Sequence, residues 1–157
     1  MREFPLLFCF KNVVVGNGFI AGVVIKGRAL LAQEEADVWM MYGVNPGGMA
    51  ADGEDRNEAM KQFRVSYDSI LNDIAADSRS FKAFQAEVER FFSQVSDEAK
   101  WLAAVDEVRR TGEADNWETV LNADSASLAV VVKKLTQRNA APKMNRDPRE
   151  EKLKLAA

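Results

Sequence analysis

A change of hydropathy period near residue 55 constrains this chain more than any other feature. Up to about residue 50 the apolar residues stand in short runs broken by turn dipeptides, and Phe8 to Val15 is rich in β-branched and aromatic residues. From Asp55 onward apolar positions recur every three or four residues. Strands first and helices after is the order of an α+β fold, with helices laid on an antiparallel sheet.

In the first part, Phe8 to Val15 and Phe19 to Ile25 flank Gly16-Asn17-Gly18, the pattern of a hairpin with a glycine-permitted turn. Lys26-Gly27 reads as a second turn leading into a strand over Arg28 to Gln33. The polar group Glu34-Glu35-Ala36-Asp37 separates that strand from Val38 to Tyr42, whose residues are apolar on both faces and suit a strand covered on two sides. The expected sheet is an antiparallel meander of four strands, with a short fifth at Gly48 to Ala51. The apolar run Phe4 to Phe10 contains Cys9, which reads as a small core residue.

In the second part, Asp55 and Glu58 make a capping-box-like start for a first helix, with Ala59, Phe63, Tyr67, Ile70, Leu71 and Ile74 on one stripe. A second helix follows Ser80 with Phe81, Phe84, Val88, Phe91, Phe92 and Val95 at the same spacing. A third begins at Ser96, carries Arg109 and Arg110 in its last turn, and ends at Gly112. Beyond Glu113, Trp117, Val120 and Leu121 suit a short helical turn. Asp124 or Ser125 suits the cap of a helix through Leu128 to Leu135, although its Val130-Val131-Val132 run suits a strand equally. The resulting division is a sheet-and-helix module over residues 1–78, a helical extension over 79–137 packed on it or forming a dimer interface, and a disordered basic tail over 138–157. The closing Lys154-Leu155-Ala156-Ala157 has the composition of a cloning remnant and carries no weight.

The composition excludes more than it proposes. At 157 residues the chain can bury about two thirds of its unfolded surface without a disulfide or metal. Zero histidines and one cysteine remove the Ser-His-Asp triad, the Cys-His pair, any His-ligated metal and any internal disulfide. No cofactor is expected, because the glycines between Gly43 and Gly53 form neither a Gly-Lys-Ser/Thr loop nor a GxGxxG opening a βαβ unit. No segment reads as a signal peptide or membrane span, and the expected compartment is a reducing cytoplasm. The net charge of −3 divides unevenly: residues 133–157 hold eight Lys/Arg and three Asp/Glu, so the body before them carries −8. The cations Lys133, Lys134, Arg138, Lys143, Arg146 and Arg149 read as a solvated, disordered tail rather than a nucleic-acid site, since no aromatic residues interleave with them to stack bases.

One segment says more. Tyr42 to Met60 runs from a strand through Pro46-Gly47, a short strand of small residues, an Asp52-Gly53 turn, and a helix opened by Asp55 with Glu58-Ala59. With Arg28 to Gln33 and the acidic turn Glu34 to Asp37 before it, this order of features resembles the HicB-like antitoxin family over roughly residues 28–78. The resemblance implies a partly reduced ribonuclease-H-like module without nuclease activity, which covers a small basic toxin ribonuclease. An acidic body suits a basic partner. The family's usual ribbon-helix-helix or helix-turn-helix segment has no counterpart in residues 79–137, so specific DNA binding is not expected.

The expected function is therefore a non-enzymatic protein-interaction module resembling a HicB-type antitoxin, with Glu34, Glu35, Asp37 and Asp52 as partner contacts and a homo-oligomeric state. Two alternatives stand beside it. One is a homo-oligomeric adaptor of the same fold with no toxin partner. The other is a weak metal-dependent hydrolase using Asp37, Asp52, Asp55 and Glu58, residues that also read simply as turn formers and a helix cap.

Overall fold

The computed structural model describes residues 3–113 and 128–136. The features expected at Trp117, Val120 and Leu121, the cap at Asp124 or Ser125, and the tail from Arg138 lie outside the described residues. The chain is α+β, with strands β1 (Glu3–Gly16), β2 (Phe19–Glu35), β3 (Val38–Asn45) and β4 (Ala50–Gly53), helices α1 (Arg56–Asp77), α2 (Phe81–Phe92) and α3 (Glu98–Thr111), and strand β5 (Ala129–Leu135). The sheet is antiparallel in the order β1-β2-β3-β4, and β5 also pairs with β2.

The long strand β2 organises everything else. On one side β1 pairs with it from Gly16↔Phe19 to Glu3↔Ala32 without a register shift. On the other side β5 takes Ile20 to Lys26 and β3 takes Arg28 to Glu35, end to end. The turn expected at Lys26-Gly27 is therefore corrected to mid-strand. Gly27 is there because a Cβ would stand 2.3 Å from the Asn45 carbonyl oxygen and 2.4 Å from the Phe8 ring. The short strand expected at Gly48 to Ala51 forms two residues later, as β4. The Val130-Val131-Val132 run is a strand rather than a helix, occupying the half of β2's edge that β3 leaves open.

The side-chain alternation of the strands builds two cores. Leu6, Phe10, Ile25, Leu31 and Met41 face α1 and α2, whose Phe63, Tyr67, Leu71, Phe84, Val88 and Phe92 are all buried against them. Their neighbours Leu7, Leu30, Tyr42 and Val44 point the other way and meet Trp101, Ala104 and Val105 of α3. Helices thus lie on both faces of the sheet around β3, as the apolar run Val38 to Tyr42 predicts. Cys9 is exposed, not buried: it is on the α3 side of β1, where the described residues cover only the Leu7 end.

The helix ends follow the residues that cap them; α2 stops at Phe92, so Val95, expected on its apolar stripe, lies beyond the helix and is exposed. Asp55 accepts a hydrogen bond from the Glu58 N–H at 2.8 Å and Ser80 accepts one from Ala83 at 3.1 Å, while Gly112 closes α3 with φ 75°. Ser96 does not start α3. Its N–H donates to the Val44 carbonyl at 2.9 Å and its hydroxyl to the Gly47 carbonyl at 3.0 Å, and Asp97, at φ 56°, is the residue that enters the helix. Among the described residues no helix is long and apolar enough to cross a membrane.

Candidate functional site

The Pro-Gly turn singled out in the sequence is the joint that sets β4. The Asn45-Pro46 peptide is cis, and Gly43 N–H donates to the Met49 carbonyl at 2.8 Å, closing the loop. A Cβ at Gly43 would lie 2.1 Å from the Pro46 carbonyl oxygen, so the loop folds over a residue that has none. The Asn45 amide donates to the Phe92 carbonyl at 2.6 Å, and Gly47 N–H donates to Gln94 at 2.9 Å. The turn therefore satisfies carbonyls at the end of α2, where helical partners run out. At the far end of β4, Gly53 is pressed against α1: a Cβ there would be 2.5 Å from the Ala59 nitrogen.

With β4 held at both ends, a groove of about 490 Å³ runs between it and the exposed flank of α1. Asp37, Asp52, Glu54 and Glu58 all line it together with Gln62 and Ser66, and no cationic side chain is among its lining residues. Beside it β4 has β3 as its only strand partner among the described residues, so its outer backbone edge is open to the groove.

Two of the four expected contact residues, Asp37 and Asp52, are brought together here; the other two are not. Glu34 is the extra residue of a bulge between the pairs Gln33↔Trp39 and Glu35↔Val38. Its carboxylate accepts a hydrogen bond from the Tyr42 hydroxyl on the α3 side of the sheet. That hydrogen bond, with partial burial and the charges of Glu34 and Glu3, raises the Tyr42 phenol from its ordinary 10.0 to about 12. Glu35 is exposed at the tip of β2 and lines no part of the groove.

No family model, curated protein or solved structure matches this chain. What the groove can do follows from its charge and shape. Four carboxylates and an open strand edge offer a cationic, extended segment both ion pairing and backbone hydrogen bonds. Glu54 and Glu58 also line the groove but are not among the residues expected there from the sequence, where Glu58 reads as part of a helix start. The signal was their spacing, one on each side of the cap Asp55. Asp55 itself is engaged by the Glu58 N–H, and among the described residues no three acidic or cysteine side chains are placed to hold a metal ion.

Proposed function

We propose that the protein is a non-enzymatic interaction module that binds a small basic protein along β4, as a HicB-like antitoxin covers a small basic toxin ribonuclease. The observation that carries this reading is the convergence of Asp37, Asp52, Glu54 and Glu58 on one groove beside an open strand edge. Such a surface raises the encounter rate of a cationic partner and rejects acidic ones.

The test is co-purification from the native host with the tagged chain and with an Asp52→Lys/Glu58→Lys variant of it. The expected result is a small basic ribonuclease that is inhibited in the complex and lost from the variant. A basic partner retained equally by the variant, or none recovered, overturns the reading.

A second reading, a homo-oligomeric adaptor, is favoured by the outer edge of β1. This 14-residue strand pairs only with β2 among the described residues, and uncovered edges of that length commonly join another chain. Light scattering of the purified chain separates the two: a dimer that dissociates on Val13→Pro and binds no basic partner favours the adaptor.

A further inference from the structure

Among the described residues, the face of the sheet that carries α3 is only half covered. Toward the Asn17-Gly18 turn, Val13 and Val15 of β1 are 70% and 71% exposed, and Val131 and Leu135 of β5 are 40% and 38% exposed. The registers put them on one surface: Val13 is opposite Gly22, Ile20 is flanked by Val15 and Leu135, and Val24 is opposite Val131. The Leu135 side chain lies across Gly22, 3.4 Å from where a Cβ would stand. At the turn end an open depression of about 780 Å³ continues the surface between Val15 and Leu135. Contiguous exposed apolar surface rimmed by polar residues marks an interaction site rather than ordinary exterior.

Its charge is of one sign. The same alternation that places the valines there also places Lys11, Lys26 and Lys133, and none of the described strand residues on this half of the face is acidic. The covered half shows how the face receives a helix. There α3 sets Trp101, Ala104 and Val105 on Leu30 and Val44, pairs Glu98 with Arg28 at 3.0 Å, and has the Arg28 guanidinium 5.6 Å from the centre of the Trp101 ring.

We propose that the open half docks an acidic amphipathic helix of a partner protein beside α3, its apolar stripe on the exposed valines and Leu135 and its carboxylates at Lys11, Lys26 and Lys133. The arrangement extends the one α3 already makes: apolar stripe on strands, carboxylate on a strand cation. A second copy is the poorer occupant, because packing this face on itself opposes the same three lysines. The basic partner of the β4 groove is excluded by the same charge, so this surface serves a different ligand and does not depend on the groove reading.

The probe is a dye-labelled helical peptide of about 18 residues, five turns, with Leu and Trp on one stripe and Glu elsewhere. Its counterpart has Lys for Glu. Fluorescence anisotropy with the full chain is expected to show binding of the acidic peptide and not of the basic one. Lys11→Glu/Lys133→Glu should weaken the acidic peptide by about tenfold or more, in the range measured for close interfacial charge pairs, and admit the basic one. Asp52→Lys in the groove should change neither. Cys9, the one cysteine of the chain, is exposed on this face opposite Lys26 and supplies a second readout. Bound acidic peptide should slow its reaction with a thiol reagent.

Equal binding of both peptides, or acidic-peptide binding unaffected by the lysine reversals, overturns the proposal. So does a dimer abolished by Val13→Asp, which would assign the face to a second copy. Acidic-peptide binding that appears only after residues 114–127 are replaced by a Gly-Ser linker also overturns it, assigning the face to the chain itself.

Discussion

Gly27 and Cys9 show what single residues hide when the partner strand is unknown. A glycine after a lysine looks like a turn, yet this one sits mid-strand because the Asn45 carbonyl and the Phe8 ring occupy the space a Cβ would need. Both neighbours are distant in sequence, so nothing local could disclose the reason. Cys9 lies in an apolar run but on the side of β1 that the described helices leave bare. Two tyrosines carry predictions at this scale. The Tyr42 phenol is held up by Glu34, so the proton it keeps in the folded state contributes stability that is complete below pH 10 and is lost as pH rises toward about 12. In a spectrophotometric titration of the Tyr67→Phe background, Glu34→Gln should move the ionisation of Tyr42 down toward 10.0; an unchanged titration would show that the carboxylate is not the cause. Tyr67 is fully buried, and its hydroxyl has no hydrogen-bond partner among the described residues. Tyr67→Phe should therefore stabilise the protein by about 1 kcal/mol in urea unfolding, the cost of desolvating a hydroxyl that gains no bond. A loss of stability would mean that the hydroxyl has a partner after all.

Among the elements, the helices were the most legible, because their information is local. Asp55, Ser80 and Gly112 cap the helices they precede or follow, and the stripes of α1 and α2 are the buried ones. What could not be read was which face of the sheet each helix would take. The two stripes resemble each other, and only the alternation of the strands distinguishes Leu31 facing α1 from Leu30 facing α3. The assignment has an energetic consequence. The α1–α2 core is continuous across the sheet, whereas α3 is held by a small cluster centred on Trp101, with an ion pair between the largely buried Arg28 and the exposed Glu98. Trp101→Ala should cost about 3–5 kcal/mol locally. Because that exceeds what a small separate cluster can spare, α3 should detach while the main core persists. Hydrogen exchange should then show α3 amides losing protection while Phe63 to Leu71 of α1 keep theirs. Loss of protection in both helices at once would show that the two cores unfold as one unit.

For the whole molecule, the fold class could be read from the order of strands and helices, and the acidic groove only in part. Asp37 and Asp52 stand 15 positions apart and meet because β3 and β4 fold back on each other, a pairing set by the Pro46-Gly47 joint. The molecule that results has separated charges: carboxylates beside β4, and lysines on the open face near the first hairpin. Asp52 is level with Ala32 of β2 through Met40, and Lys133 is opposite Gly22; at about 3.3 Å per residue those ten positions separate them by about 33 Å along the strand, roughly four times the Debye length of ~8 Å at physiological salt. The two regions should behave independently, so combining Asp52→Lys with Lys133→Glu should give additive changes in the binding of charged peptides. An interaction energy well above 0.5 kcal/mol would indicate coupling through the sheet instead. The end-to-end sharing of β2 by β3 and β5 has a further consequence during synthesis. Residues through β3 leave the ribosome early and complete half of that edge, but Val23 must wait for Val132, which is made more than a hundred residues later. Until then Ile20 to Lys26 presents an unpaired row of backbone groups, the interval in which a nascent chain is most open to pairing with a stranger or to capture by a chaperone.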